Sequence, residues 1–561
     1  MEQYKQEYQR WLSSLKNKDE INELKNMDEE TILDAFYQTI TFGTAGMRGK
    51  MGLGTNRMNV YTLRRANYGY AKFLKDKYGD NLSVVIARDN RRNGEEYVKE
   101  CVKVLATFGI KSYIFNGITP TPVLSYAVRY LKCSGGIVVT ASHNNKDYNG
   151  YKIYDNEGCQ LVPSLANVVV KNVANAPDYF DIEVKDFEDV LKEGLVEYLG
   201  EDVEDSYLDQ VFRLRINANV KKTDFRICYT PLHGTGGKLA TQLFDTLGYK
   251  YVKVEEQFIN DPDFTTVPYP NPEDPKAFTL ALEYAKKEDC DIIIATDPDA
   301  DRVGVAVREK NGNYRLLTGN ETGAILIYYI CTNDMILRNS YIIDTIVTSR
   351  LGRRIAEKFG FQTLQTFTGF KFIGQQMTKL VNDKMNFKFG YEEAFGYTVG
   401  TIGRDKDSLQ GILLIAEAAC YYKMRSHKTL VDVLSFIDRS FGYYKASQNT
   451  LILEGEKGKK QIKEVMQYLR KHKIENFGRF KVLNTIDYNK SDYIVNDINL
   501  GKSDVIEYDF GKDIYCLFRP SGTEPKLKCY IGTTGSSEAD SNRKMSEIKK
   551  AVDEIYEKVL N

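Results

Sequence analysis

None of the nine cysteines in this 561-residue chain belongs to a C-x-x-C pair. Thiols scattered singly speak against a zinc site or a disulfide framework and fit a reducing, cytoplasmic setting. Net charge is lacking as well, with 77 Lys and Arg against 77 Asp and Glu. That balance gives no footing for nucleic acid or a membrane surface, so a charged substrate has to be recognised by local clusters. No uncharged apolar run reaches the roughly 20 residues a membrane helix needs; "GAILIYYICTNDMIL" is broken by Asn333 and Asp334. The opening "MEQYKQEYQRWLSSL" has no apolar core of the signal-peptide kind. Nucleotide-kinase and hydrolase signatures are missing too. "GTAGMRGK" puts five residues between Gly43 and Gly49 where a Walker loop has four, and Met51 stands where that loop has Ser or Thr. No G-x-G-x-x-G follows a strand, and no G-x-S-x-G elbow surrounds the serine discussed below.

The composition that remains is that of a soluble globular enzyme, 42% hydrophobic and 27% charged. The length exceeds one core and implies three or four domains. Tyr4, Tyr8, Trp11, Leu12 and Leu15 recur at helical spacing, which predicts a helical extension over residues 1–40. A unit then recurs three times: a helix ends at a glycine and a strand follows at once. The copies are "VLATFGIKSYIFNG", "LFDTLGYKYVKVEE" and "IAEKFGFQTLQTFTG", with Gly109, Gly248 and Gly360 where a helix end favours a left-handed residue. Each copy runs on to an apolar strand ("GGIVVT", "CDIIIAT", "FKFG") and then a polar loop ("ASHNN", "DPDAD", "YEEAFG"). Open α/β sheets bind ligands beyond the carboxyl ends of such strands. The reading is therefore three similar mixed-sheet α/β domains over 41–205, 206–325 and 326–445, the second carrying the proline-rich excursion "NDPDFTTVPYPNPEDP". Strands grouped between helices over 446–561 predict a smaller C-terminal α+β domain.

Four loops carry chemistry. Asp297, Asp299 and Asp301 alternate after a buried strand, and three carboxylates that close repel unless a hard cation such as Mg²⁺ joins them. An EF-hand is excluded by Arg302 at its sixth position and Arg308 at its twelfth. Arg302 either faces a phosphate or neutralises the acids. "RPSGTEP" combines the donor fork of Arg519, the hydroxyls of Ser521 and Thr523 and the open backbone of Gly522, a set that suits a phosphate monoester. Glu392 and Glu393 in "GYEEAFGY" suit vicinal sugar hydroxyls, with Lys406 close behind them in sequence. "TASHNN" presents Ser142 beside His143. With a metal loop and a phosphate loop elsewhere, phosphoryl transfer through Ser142 is more economical than hydrolysis, His143 and Lys152 serving as proton carriers or phosphate contacts.

"TASHN", "DPDADR", "EEAFG" and "RPSGTEP", in that order and preceded by "GTAGMRGKMGLGTNRMN", resemble the α-D-phosphohexomutase superfamily, phosphoglucomutase/phosphopentomutase branch. The resemblance spans nearly the whole chain. It implies four domains around a central cleft, with Ser142 the phosphorylated nucleophile and Ser142, Asp297, Asp299 and Asp301 the Mg²⁺ ligands. It places Arg48, Arg302 and Lys406 at the reaction site, Thr368 and Glu392 on sugar hydroxyls, and Arg519, Ser521, Gly522 and Thr523 on the phosphate that is not reacting. The implied activity interconverts glucose 1-phosphate and glucose 6-phosphate, with glucose 1,6-bisphosphate as primer and intermediate. Small phosphorylated sugars would be the only partners of a monomer or weak dimer. Two departures stand out: Ala394 replaces the serine usual in the glucose-type sugar loop, and Asn145 the proline usual after "SHN". The first leaves a phosphopentomutase as the main alternative, ahead of a metal-dependent phosphatase and a non-catalytic phosphosugar-binding protein.

Overall fold

The computed structural model describes residues 3–43, 46–335, 339–453, 455–522 and 525–560. The chain forms two compact units. Met1–Leu316 with Gly396–Cys420 make one, and Leu317–Phe395 with Tyr421–Asn561 make the other. Among the described residues no helix is long and apolar enough to cross a membrane.

The first unit opens with helices Gln3–Ser14, Lys18–Lys25 and Glu29–Phe36, which gather around fully buried Trp11. A seven-stranded mixed sheet follows. At its centre Ser83–Arg88 lies between Lys111–Phe115 and Gly135–Val139, all three parallel, and Tyr148–Tyr154 runs antiparallel beside Gly135–Val139. The second sheet repeats the arrangement. Arg226–Thr230 lies between parallel Lys250–Lys253 and Ile292–Thr296, with Val303–Arg308 antiparallel next to the last. In the second unit Ser340–Thr345 lies between parallel Gln362–Thr366 and Asn386–Glu392. The order second–first–third thus occurs three times; the glycine-marked repeat predicts the threefold recurrence, and the structure adds the order. Gly109, Gly248 and Gly360 all have positive φ, between 69° and 84°. Gly135–Val139 and Ile292–Thr296 are buried at every position, which explains their unbroken apolar composition.

The C-terminal part is an antiparallel sheet covered by Gly455–Lys471 and Glu538–Leu560, as expected for an α+β domain. Arg519 and Pro520 end the strand Ile514–Pro520, and Lys526–Gly535 returns beside it. The phosphate-type loop is therefore a hairpin connection.

A strand order of second–first–third puts the connection reversal between the first and third strands. Loops leaving these two strands meet there, and that is where such sheets bind ligands.

Candidate active site

Ser142 is 2% exposed and has φ +52°, the left-handed region. For a residue with a side chain this costs on the order of 1 kcal/mol and has to be held by its surroundings. Its Oγ donates to Asp297 Oδ2 at 2.9 Å and lies 3.2 Å from His143 Nδ1. Its backbone N–H donates to Thr140 Oγ1 at 2.8 Å, and Thr140 Oγ1 donates to Asp89 Oδ2 at 2.6 Å. Arg91, fully buried and paired with Asp89 at 3.1 Å, donates to the carbonyls of Ser142 (2.6 Å), Asn145 (2.6 Å), Tyr148 (2.9 Å) and Asn144. Arg48, on Gly46–Lys50, reaches the same loop and donates to Asn144 Oδ1 at 2.9 Å.

The acidic loop faces this serine. Asp297, Asp299 and Asp301 are at most 1% exposed, and one oxygen from each lies within 4.8 Å of the others. Asp297 Oδ1 accepts from the backbone N–H of Asp301 and Arg302. Thr121, at the start of a helix, donates to Asp299 Oδ2 from its hydroxyl at 2.9 Å. Lys152 donates to Asp299 Oδ2 at 2.7 Å and lies 3.4 Å from Asp301 Oδ2, while Lys406 lies 3.0 Å from Asp301 Oδ2. Asp299 Oδ1 and Asp301 Oδ1 are buried without a hydrogen-bond partner. Two orphaned carboxylate oxygens in an all-oxygen set, with a serine hydroxyl beside them, fit a hard divalent cation.

The electrostatics follow from crowding. Burial, then Asp299 and Asp301, pushes the Asp297 carboxyl well above the usual carboxylate range. Burial would raise Asp301 as well, but Lys406, Lys152 and Arg302 outweigh it and hold that carboxyl far below. Burial would lower Lys152, and Asp299 with Asp301 more than compensates. Loss of solvent, with Arg302 and Arg48 nearby, keeps the His143 imidazole well below its ordinary value. Arg302 pairs with Glu273 of the proline-rich excursion and stands 3.8 Å from Asp301.

That excursion does more than interrupt the repeat. His233 holds it with both ring nitrogens, Nδ1 on the Ile259 carbonyl (2.9 Å) and Nε2 on Thr266 Oγ1 (2.7 Å). Phe264 lies under the Arg91 guanidinium at 5.1 Å. Gly234 has to be glycine, since a Cβ there would come within 2.4 Å of Pro298 Cα in the acidic loop.

The second unit holds the remaining residues. Glu392 is buried and accepts from the backbone N–H of Gly369 at 2.6 Å; Thr368 Oγ1 is buried without a partner. Ala394 follows in the same turn, ahead of Phe395 with φ +62°. Ser521 donates from its backbone N–H to the Lys526 carbonyl at 2.8 Å, next to Gly522, whose Cβ position is open space. Tyr530 senses Glu393, Arg519 and Glu392 together, and burial raises its phenol above the ordinary value. Thr523 lies outside the described residues.

The sequence reading names the loops after third strands and misses their supports on the loops after first strands. Asp89 and Arg91 ("ARDNRR"), His233 ("TPLHGTG") and Thr348 ("TIVTS") occupy matching places, and Thr348 donates to Glu393 at 3.4 Å. A signal was available at "RDNRR", a polar run directly after a buried strand, whereas Leu232, Ile346 and Val347 mask the other two.

Comparison with known proteins bears on this geometry. Profiles described as Phosphoglucomutase/phosphomannomutase, alpha/beta/alpha domains I, II and III, match residues 39–179, 205–312 and 318–438. The phosphoglucomutase of Staphylococcus haemolyticus is 37% identical over 503 residues, 88% of this chain and 90% of that protein. The chain belongs to the phosphoglucomutase/phosphomannomutase family. The phosphoglucomutase of Staphylococcus aureus strain MRSA252 is 35% identical over 507 residues, 89% of this chain and 90% of that one. Two solved structures share the fold. A putative phosphomannomutase from Thermus thermophilus superimposes with TM-score 0.69 at 21% identity, covering 92% of this chain and 99% of its own. Paramecium pp63/parafusin, a phosphoglucomutase in its open form, gives 0.69 at 19%, covering 94% and 96%. Family membership makes the chain an enzyme of the phosphotransferase–isomerase kind, and the acid trio is one that could hold a metal.

Proposed function

We propose that this family member interconverts α-D-glucose 1-phosphate and glucose 6-phosphate through phosphoserine at Ser142. The observation that carries the substrate is 37% identity to a phosphoglucomutase over 88% of the chain; the two staphylococcal relatives carry the glucose name and not the pentose one. Phosphorylated Ser142 gives its phosphoryl group to the free hydroxyl of the sugar phosphate. The Oγ–P bond breaks, a bond from phosphorus to the sugar oxygen forms, the hydroxyl proton leaves to the neutral His143 imidazole, and the Ser142 oxygen takes a proton from the Lys152 or Lys406 ammonium. The product is glucose 1,6-bisphosphate. It turns end for end, and its other phosphoryl group returns to Ser142.

Asp297, Asp299, Asp301 and the Ser142 oxygen would hold Mg²⁺, which when bound neutralises charge on the phosphoryl oxygens. Lys152 and Lys406 fix the acids in place, and Arg48 and Arg302 stand ready to contact phosphate. Glu392 and Thr368 accept and donate to sugar hydroxyls, and Arg519, Ser521, Gly522 and Thr523 hold the idle phosphate. Ala394 brings no hydroxyl of its own to that loop. All nine cysteines are free and buried, in keeping with work in the cytoplasm.

The test supplies glucose 1-phosphate, Mg²⁺ and a trace of ³²P-labelled glucose 1,6-bisphosphate. Glucose 6-phosphate should form and label should pass through Ser142. Turnover of ribose 1-phosphate alone, or release of label only to water, would overturn the reading.

A further inference from the structure

We propose that Thr140, Asp89 and Arg91 form a clamp that holds Ser142 in its left-handed conformation, with the Thr140 hydroxyl as a positioning residue for phosphoryl transfer. The inference rests on Ser142 being the phosphoryl acceptor. A left-handed serine relaxes toward ordinary backbone angles unless both of its peptide groups are fixed. Here both are fixed from one carboxylate. On the amino side, Ser142 N–H donates to Thr140 Oγ1, and the single Thr140 proton is spent on Asp89 Oδ2. That proton assignment turns a Thr140 lone pair toward Ser142. On the carbonyl side, Arg91 donates to Ser142 O while its Nε donates to Asp89 Oδ2 at 3.1 Å. Thr140, Asp89, Arg91 and Ser142 are all 2% exposed or less, so water does not replace these bonds.

The same device occurs a second time in the chain. Leu232, with φ +47°, donates its N–H to Thr230 Oγ1 at 3.0 Å, and Thr230 Oγ1 donates to Gln257 Oε1 at 2.6 Å. In both places a threonine at or directly after the last residue of a buried strand fixes a left-handed residue two positions on, backed by a buried side-chain oxygen, a carboxylate in one and an amide in the other. The second copy carries no nucleophile, so the device is a way of setting backbone and not a feature of serine chemistry. At Ser142 its effect is to aim Oγ at Asp297.

Thr140→Val removes the hydroxyl at nearly constant shape, and Thr140→Ser restores it. With rates referred to the folded fraction by near-UV circular dichroism, Thr140→Val should lower kcat about tenfold or more while KM for glucose 1-phosphate stays within about twofold, as expected for a misaimed nucleophile. Thr140→Ser should recover most of the rate. Asp89→Asn, which keeps an acceptor for Thr140 but loses the ion pair, should give a loss of the same kcat-only kind. Wild-type kcat in Thr140→Val, or equal impairment of the Ser and Val variants, would overturn the clamp. Ser142→Ala runs in parallel: activity in that variant removes the phosphoserine reading and the clamp with it, whereas a dead Ser142→Ala beside a fully active Thr140→Val removes the clamp alone.

Discussion

Single side chains at the site have partners that sort them by task. Ser142 Oγ touches an acid and an imidazole, so its removal should cost chemistry and little stability. Ser142→Ala should lower kcat by roughly 10³-fold or more, with an unchanged far-UV spectrum and no label taken up from the bisphosphate. Asp407 behaves differently. It caps the helix Ser408–Ser426 and accepts from Tyr207 Oη and from Gln410, fully buried. Burial, opposed by those hydrogen bonds, pushes its carboxyl up to about 6. An acid with a raised folded value holds its proton in the native state between about pH 4 and 6 while the unfolded chain has lost it. Its stabilising share is therefore present at the low end and fades as pH rises through 6. The gap in melting temperature between wild type and Asp407→Asn should move in the wild type's favour as pH falls from 7.5 to 5. A gap that does not change with pH would show that Asp407 is ionised throughout.

At the level of elements, the loops after third strands are anchored by the loops after first strands and by the proline-rich strap. His233 is the strap's fastening, and His233→Ala takes that partner from the Ile259 carbonyl and leaves Thr266 Oγ1 with Gln257 Nε2 alone. With the Ile259 carbonyl the one group orphaned, it should cost about 1–2 kcal/mol, seen in denaturant unfolding, with faster amide exchange concentrated in residues 259–266. The strands, the glycine-ended helices and the four loops are legible in sequence because each is a local pattern. What could not be read is mutual support across long separations. Thr121 meets Asp299, Tyr154 donates to Asp405, and Lys406 meets Asp301. Nothing in "TPTP" or "GRDKDS" announces these partners, because a pair contact leaves no period in either segment. The strap looks like a mere insertion for the same reason. Its value lies in Phe264 under Arg91 and Glu273 on Arg302, two contacts that only the fold creates.

The molecule as a whole carries three buried acids whose charge is only partly met by Lys152 and Lys406. A cation bound to the folded state alone stabilises it by mass action, about 3 kcal/mol at a hundred times its dissociation constant. Adding Mg²⁺ to chelator-treated protein should therefore raise the unfolding temperature in a dose-dependent way. Asp299→Asn, which weakens the set while keeping its size, should lose most of that shift, and an equal shift in the variant would place the cation elsewhere.

The first compact unit is not continuous in sequence: it takes in Gly396–Cys420 after the chain has left at Leu316. This sets an order of events during synthesis. When the ribosome has delivered the acidic loop, the lysine that meets Asp301 is still about a hundred residues away, and domains near the amino terminus generally fold first. The newborn unit must therefore wait, with part of its negative charge uncompensated, until Lys406 emerges. Over that interval a cation, or a proton on one of the crowded carboxyls, can stand in for the missing lysine beside Lys152, so a divalent ion has more charge to meet in the nascent unit than in the finished one.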